Sequence, residues 1–117
     1  MDYIELPYPP SVNNYYRHFR GMAFISTAGR NFRKAVEVIL TEKNTKPARG
    51  KLFVEIDIYP PDRRRRDIDN ILKALLDALE KGGAYADDSQ IHRLDIRKLD
   101  PIPPKGLVAV RIAEMEG

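Results

Sequence analysis

The stretch LFVEIDIYPPDRRRRDIDNILKALLDALEKGG, residues 52–83, decides the fold of this chain of 117 residues. From Leu52 to Tyr59, apolar residues alternate with polar or aromatic ones, which is the period of a half-buried β-strand. Pro60-Pro61 would stop that strand. An apolar stripe at helical spacing follows and ends before Gly82-Gly83, a typical helix terminator; its members are Ile68, Ile71, Leu72, Leu75 and Leu79. The stretch therefore predicts a strand, a charged loop and an amphipathic helix.

Sequence on both sides of this stretch predicts four more strands and one more helix. Ser26 or Thr27 is typical of a helix N-cap, and the apolar spacing that follows predicts a helix ending near Lys43. Ile91 lies out of phase with the alternating residues after it, which indicates a β-bulge or an irregular strand start. The strands are predicted at Tyr3–Leu6, at Met22–Ile25, around Leu94 and Ile96, and over Val108, Val110 and Ile112. This order predicts a single domain, residues 1–117, of the α/β (α+β) class, with a mixed sheet of about four to five strands and two main helices.

Composition restricts the class of protein. Hydrophobic residues make up 43% of the chain and charged residues 32%, which is the balance of a soluble globular protein. The absence of cysteine excludes disulfides, thiol nucleophiles and cysteine-ligated metal centres. The first residues show no secretory leader pattern, and no apolar run approaches the roughly 18 residues that cross a bilayer. We therefore expect a cytoplasmic protein without a membrane partner.

Charge is distributed unevenly, although the net charge is only +3. No acidic residue lies between Glu5 and Glu37, a region that contains five basic residues, and Arg63–Arg66 form a second basic block. The region that follows is acidic; it contains Asp77, Glu80, Asp87, Asp88 and Asp95. Basic surface beside an acidic patch suits a polyanion held against a bound metal ion.

Asp67 and Asp69 lie at the start of the predicted second helix. Inside one helix they would point about 160° apart, because two residues rotate by roughly 200°. We therefore place Asp67 at the N-cap or in the turn before it, and Asp69 in the first helical turn, where both carboxylates can converge. Lys73, four residues after Asp69, then faces the same space. An acidic helix cap followed by a surface ion pair explains these three residues equally well.

Four consecutive arginines, Arg63, Arg64, Arg65 and Arg66, favour a phosphate ligand over that structural explanation. Side by side they repel one another and stabilise no core, whereas phosphates would neutralise them. A solvated run of charge remains the alternative.

Asp87-Asp88 has an ordinary explanation as an acidic turn. If one of the two lay near Asp67 and Asp69, it would complete a cluster of three carboxylates, which is costly without a cation. Oxygen ligands of this kind suit Mg²⁺ or Mn²⁺, which would activate water for phosphodiester hydrolysis.

Other chemistries have little support. His18 and His92 lack partners at metal-ligand spacing, and the chain has neither a glycine-rich phosphate loop nor a nucleophile elbow, so no small-molecule cofactor is expected. Aromatic and basic residues alternate from Tyr15 to Arg20, which suits stacking on unpaired bases and contact with a nucleic-acid backbone. A packed loop with solvated arginines is the alternative.

Three motifs resemble the RusA-type Holliday junction resolvases, small phage-associated endodeoxyribonucleases of DNA recombination and repair. They are PPSVNNYYRH at residues 9–18, PDRRRRDIDNILKALLDAL at 61–79 and DDSQI at 87–91. The resemblance implies a homodimeric α/β fold and Mg²⁺-dependent paired nicking of four-way junction DNA.

The same resemblance implies roles for particular residues. Asp67, Asp69 and Asp88 correspond to the family's essential acids, and Lys73 to a lysine that acts on the scissile phosphate or the attacking water. Arg66 corresponds to a DNA-contacting position. The N-terminal loop also matches the family pattern, and its candidate DNA contacts are Asn13, Tyr16 and Arg17.

Two further functions stay open on sequence alone. One is a catalytically inactive, junction-selective DNA-binding module. The other is a protein-interaction domain in which Arg63–Arg66 bind an acidic protein surface. A dimer is expected independently of the resemblance, because one chain carries one acidic cluster and resolving a junction requires two symmetric incisions.

Overall fold

A computed structural model describes residues 3–116 and contains one main sheet, a separate β-hairpin and two long helices. In chain order the elements are β1 (Ile4–Pro7), α1 (Val12–Tyr15), β2 (Tyr16–Phe19), β3 (Met22–Ile25), α2 (Thr27–Glu42), β4 (Leu52–Tyr59), α3 (Leu72–Lys81), a 3-10 turn (Asp88–Gln90), β5 (Ile91–Lys98) and β6 (Leu107–Glu114). No helix of the described part is long and apolar enough to cross a membrane.

The main sheet has four strands in the order β1-β6-β4-β5. Strands β4 and β5 are parallel, and α3 connects them, while β6 pairs antiparallel with both β1 and β4. This confirms the predicted mixed sheet with two main helices. The strand predicted at Met22–Ile25 lies outside that sheet, because it pairs with β2 in a two-stranded hairpin. Sequence periodicity missed β2 and the short helix α1.

The core lies between the sheet and the two helices. Alternate residues of β4, from Leu52 to Ile58, are at most 2% exposed, and the apolar faces of α2 and α3 cover them. Ser26 caps α2 as predicted, since its Oγ accepts a hydrogen bond from the Gly29 backbone N–H (2.9 Å). On the opposite face of the sheet, ion pairs bridge the strands: Arg97 binds Asp57 with two hydrogen bonds of 2.9 Å, and Arg111 binds Glu55 at 2.8 Å.

The predicted irregularity at the start of β5 is confirmed. Leu52 pairs with Ile91, but the next residue of β4, Phe53, pairs with Arg93, so His92 is an extra residue in the ladder. The bulge restores the alternation that places Leu94 and Ile96 beside Val54 and Ile56 on the helix-covered face.

Candidate functional site

Asp67 and Asp69 lie in a turn before α3, not inside it. The helix begins at Leu72, and Ile71 occupies the N-cap. Asp67 therefore lies before the helix, which is one of its two predicted placements, whereas the placement of Asp69 in the first helical turn was wrong. The turn is tighter than an α-helix: Asn70 N donates to Asp67 O (3.2 Å), and Leu72 N donates to Asp69 O (3.1 Å). Both aspartates are exposed, as is Lys73 in the first turn of the helix. Because Asp67 and Asp69 lie outside the α-helix, the 160° separation that an α-helix would impose does not apply to them.

The arginine run before this turn is divided between structural and exposed residues. Arg66, whose side chain is 19% exposed, donates to Asp62 Oδ1 at 2.7 Å, and its guanidinium also contacts the Arg64 carbonyl (3.3 Å). The Arg64 backbone N–H reaches the same carboxylate oxygen (2.8 Å). The hydrogen bond from Arg66, followed by that from Arg64, lowers the pKa of Asp62 to about 2. Arg66 therefore fixes the loop, while the side chains of Arg63 and Arg65 are exposed. Arg64 is also exposed, although its guanidinium forms an ion pair with Asp62 at 3.5 Å.

The loop is also attached to the far end of β5. Lys98 Nζ, on the last residue of that strand, donates to the Arg66 carbonyl oxygen at 2.8 Å. Asp67, the next residue, is therefore held at the carboxyl end of β5. The turn with the two aspartates is tied to α1 as well, since Val12 N donates to Asn70 O (2.9 Å).

Asp88 lies at the opposite end of the same strand. It begins the 3-10 turn that leads into β5, and its backbone N–H donates to Glu80 Oε1 (2.8 Å) in the last turns of α3. One carboxylate oxygen from each of Glu80, Asp87 and Asp88 lies within 4.8 Å of the other two. Within residues 3–116 this is the one group of three such residues with that spacing.

Gln90 holds this acidic turn in place. Its Oε1 accepts from the backbone N–H groups of Ala86 (3.1 Å) and Asp87 (3.0 Å), while its Nε2 donates to the carbonyls of Ala48 (3.2 Å) and Gly50 (3.0 Å). Asp87 completes a capping box with it by accepting from Ser89 N (2.8 Å). The backbone hydrogen bond from Ser89 lowers the pKa of Asp87. These hydrogen bonds hold the backbone of the turn that carries the Asp88 side chain.

One chain does not bring Asp88 to Asp67 and Asp69. Lys98 marks the loop end of β5 and Ile91 the Asp88 end, and seven residue steps of a strand span about 23 Å. The separation follows from the β4–α3–β5 connection. Because β4 and β5 are parallel, α3 runs in the opposite direction between them, so its first residues lie near the end of β4 and its last residues near the start of β5. The three predicted carboxylates therefore lie in two separate groups within one chain, which are the predicted half-sites: Asp67 with Asp69, and Asp88.

The N-terminal segment, like the arginine run, contains both a residue with a structural role and exposed residues. Tyr15 is fully buried, so stacking of its ring on nucleic acid, which the aromatic pattern suggested, is wrong. Its hydroxyl bonds to Asp77, and Arg33 Nε lies 2.8 Å from that hydroxyl and 2.9 Å from Asp77 Oδ2. Burial, and then the hydrogen bond to Asp77, raise the pKa of Tyr15. Tyr15 thus attaches α1 to α2 and α3.

The residues around Tyr15 form an accessible surface. Asn13, Tyr16 and Arg17, the three predicted contacts, line one open groove. Next to it the β2–β3 hairpin carries Phe19 and Met22 as a cross-strand pair, 64% and 60% exposed. Phe24, opposite Arg17, is 47% exposed on the same face. Exposed apolar side chains beside arginines can contact bases and backbone together.

Sequence reasoning missed several residues that support these half-sites. A capping-box search would have found Gln90, because Asp87 and Gln90 have the required spacing. Lys98 and Glu80 carry no local signal, since their contacts with Arg66 and Asp88 join elements that are distant in sequence.

Comparison with known proteins agrees with the motifs. A family model described as Endodeoxyribonuclease RusA matches residues 7–112. A protein of Shigella sonnei named Crossover junction endodeoxyribonuclease RusA is 42% identical over 115 residues, which covers 96% of this chain and 93% of the relative. Proteins of the same name from Escherichia coli K12 (41% over 115 residues, 96% and 93%) and Enterobacteria phage 82 (40% over 116 residues, 97% and 94%) are similarly close. The likeness extends over both half-sites.

Proposed function

This chain belongs to the RusA family of endodeoxyribonucleases, and from that membership we propose that it resolves Holliday junctions, cutting four-way DNA by paired symmetric nicks in a Mg²⁺-dependent reaction. The loop before α3 supports this function most directly. It presents Asp67 and Asp69 in solvent shortly before Lys73, and Asp67 comes two residues after the last of three exposed arginines. A phosphodiester backbone bound by those arginines would lie next to the carboxylates that hydrolysis requires.

The donor set fits a hard divalent cation. Asp67, Asp69 and Asp88 offer carboxylate oxygens only, all exposed, which is the ligand type that Mg²⁺ and Mn²⁺ take. When bound, such an ion activates water and stabilises the leaving oxygen. Lys73 supplies positive charge one helical turn from Asp69, where it can hold a phosphate oxygen or orient the attacking water.

A homodimer supplies the missing half of each site. Asp67 and Asp69 stand at one end of β5 and Asp88 at the other, so a two-fold-related copy can bring its own Asp88 to the first chain's pair. Both sites of the dimer are completed at once by this symmetry. We infer that each metal site takes Asp67 and Asp69 from one subunit and Asp88 from its partner, which also gives two incisions per junction.

DNA would be held on both sides of the carboxylates. On one side, Arg63, Arg64 and Arg65 can neutralise phosphates. On the other side lies the groove lined by Asn13, Tyr16 and Arg17. The hydrogen bond from Val12 to Asn70 attaches the segment that carries this groove to the turn that carries the aspartates. Phe19, Met22 and Phe24 extend from the hairpin, where they can contact bases unstacked at the branch point.

The function is tested by incubating purified protein with a four-way junction or a matched duplex, in Mg²⁺ or in chelator, beside the Asp69→Asn variant. Symmetric nicks in the junction alone, dependent on Mg²⁺ and absent from the variant, are expected. Junction binding by wild type without cleavage in Mg²⁺ or Mn²⁺ would identify an inactive binding module instead. No DNA affinity at low salt would favour a protein-binding role for the arginines.

Arg65 and Arg66 are expected to differ although they are neighbours. Because Arg65 is exposed, Arg65→Ala should lower the log-log salt slope of junction binding by about one if it contacts one phosphate, with thermal stability unchanged. Arg66→Ala instead removes the 2.7 Å ion pair with Asp62 and should lower the melting temperature by a few degrees. Fluorescence anisotropy at several salt concentrations and thermal denaturation measure both. Equal melting temperatures for the two variants would contradict the structural role of Arg66.

A further inference from the structure

Glu80 joins the end of α3 to the turn that carries Asp88. Its Oε1 accepts a hydrogen bond of 2.8 Å from the Asp88 backbone N–H. A charged acceptor makes such a bond stronger than a neutral one does. Glu80 is partly buried in the last turn of the helix, whereas Asp88 is exposed. The contact therefore attaches an exposed carboxylate residue to a regular element of the fold.

The backbone N–H groups of this turn bond to two different side chains. Those of Ala86 and Asp87 donate to Gln90 Oε1, and the Gln90 side chain in turn binds the segment before β4. The N–H of Asp88 donates instead to Glu80. Gln90 thus attaches the turn to the sheet, and Glu80 attaches it to α3. Loss of the Glu80 contact should therefore release Asp88 while Gln90 still holds Ala86 and Asp87.

Helix α3 also presents a residue of the other half-site. Lys73 and Glu80 are seven residues apart in this helix, which places them on the same face, about 20° from each other. The turn that carries Asp67 and Asp69 comes just before the same helix. The opposite face of α3 is buried in the core, so the helix is held as a rigid element. Glu80 therefore fixes Asp88 to the helix that positions Lys73.

Glu80 can act on Asp88 through its hydrogen bond or through its charge. One carboxylate oxygen from each of Glu80, Asp87 and Asp88 lies within 4.8 Å of the other two, so the three groups repel one another. Because Asp87 and Asp88 are exposed, solvent and salt screen that repulsion. The bond of 2.8 Å fixes a backbone position, which a screened repulsion does not do. The geometry therefore favours the hydrogen bond.

We propose that Glu80 is a positioning residue for Asp88: its carboxylate holds the Asp88 backbone so that the Asp88 side chain meets the metal ion in the geometry that cleavage needs. The inference deepens the function proposed above and rests on it, because Asp88 binds a metal ion only in that function. A displacement of about 1 Å in a reacting group can lower a rate about 100-fold. Loss of the Glu80 bond should therefore affect cleavage far more than it affects the stability of the fold.

Three substitutions at Glu80 separate the reach of the side chain from its charge. Glu80→Gln keeps the length and an acceptor oxygen but removes the charge. Glu80→Asp keeps the charge but is one methylene shorter, so its carboxylate falls short of the Asp88 N–H, and Glu80→Ala loses both properties. In saturating Mg²⁺, the maximal rate of junction cleavage should fall about 10- to 100-fold in Glu80→Asp and Glu80→Ala, and stay within about threefold of wild type in Glu80→Gln.

Two measurements without DNA test the contact itself. By NMR, the Asp88 amide proton should exchange with solvent about tenfold faster in Glu80→Asp and Glu80→Ala, while Glu80→Gln stays near wild type. The amides of Ala86 and Asp87, which Gln90 binds, should exchange as in wild type in all three. Calorimetric titration with Mn²⁺ should show weaker binding in the same two variants that lose the Asp88 contact.

Matched controls exclude a general loss of structure or charge. Glu42→Ala removes an exposed carboxylate from the last turn of α2 and should leave cleavage and Mn²⁺ binding unchanged. Melting temperatures of all variants should lie within a few degrees of wild type, because Glu80 is partly exposed at a helix end. If Glu80→Ala does not fold, the comparison of Glu80→Gln with Glu80→Asp still decides between reach and charge.

The inference and the proposed function can fail separately. Wild type that cleaves junctions, with Glu80→Asp as active as wild type or Glu80→Gln as impaired as Glu80→Ala, would overturn the positioning role and leave the resolvase function intact. Wild type that cuts no junction would overturn the function instead. In that case, Mn²⁺ binding and Asp88 exchange that weaken together in Glu80→Asp but not in Glu80→Gln would still support the positioning role, and unchanged values would overturn it.

Discussion

An equimolar mixture of Asp69→Asn and Asp88→Asn chains is expected to nick four-way junctions, although each variant alone is inactive. Removal of one ligand should reduce cleavage on the order of 10³-fold, since metal catalysis contributes several kcal/mol. In the mixed dimer one site carries both substitutions, and the other has Asp69 from one chain and Asp88 from the other, both unaltered. Random mixing should restore about a quarter of the wild-type sites.

The product identifies the arrangement. A mixed dimer has one working site, so it should give single nicks rather than paired ones, which denaturing and native gels distinguish. The matched control mixes Asp67→Asn with Asp69→Asn, two substitutions in the same half-site, and should stay inactive. If Asp69→Asn with Asp88→Asn is as inactive as this control while wild type cleaves, all three carboxylates act within one chain and the shared site is refuted.

Gly106→Ala should destabilise the protein by about 3 to 5 kcal/mol, well above an ordinary substitution. Gly106 has φ +67°, and a Cβ there would lie 2.6 Å from Tyr59 O and 2.7 Å from Pro61 N. Both are backbone atoms at the point where β4 ends and the arginine loop begins. Because Ile102 N also donates to Pro60 O (2.9 Å), neither segment can move without the other.

Gly50→Ala is the control for backbone conformation alone. Gly50 has φ +72°, but a Cβ there would meet nothing within 4 Å. Gly50→Ala should lower the free energy of unfolding by about 1 kcal/mol, which is the strain of an alanine in the left-handed region of backbone conformation. Urea denaturation gives both free energies of unfolding, and junction cleavage should fall for Gly106→Ala in conditions where it is still folded. If both substitutions lowered the free energy of unfolding equally, the backbone around Gly106 would have shifted to accommodate the added methyl group, contrary to this prediction.

Much of the fold was predictable because it depends on local periodicity. The strand Leu52–Tyr59 and the helix capped by Ser26 follow from side-chain spacing within a few residues. The hairpin β2–β3 was not predictable as a unit, since polar and aromatic residues of β2 give no alternation and only pairing with β3 makes it a strand. The start of α3 was misplaced for a related reason: nothing in the sequence shows that the turn at Asp67–Asn70 is held by α1.

By itself, the sequence determined which residues can carry the chemistry. Carboxylates at Asp67, Asp69 and Asp88, the run of four arginines and the absence of cysteine are properties of the sequence, and they hold in any conformation. Only the tertiary structure decided that Arg66 forms an ion pair with Asp62 and that the Tyr15 hydroxyl bonds to Asp77. It also decided that Asp88 and Asp67 lie at opposite ends of strand β5. The physical reason is that these facts depend on the direction in which α3 returns between two parallel strands, which side-chain periodicity does not encode. That direction is the reason why we propose that a second copy of the chain completes each site.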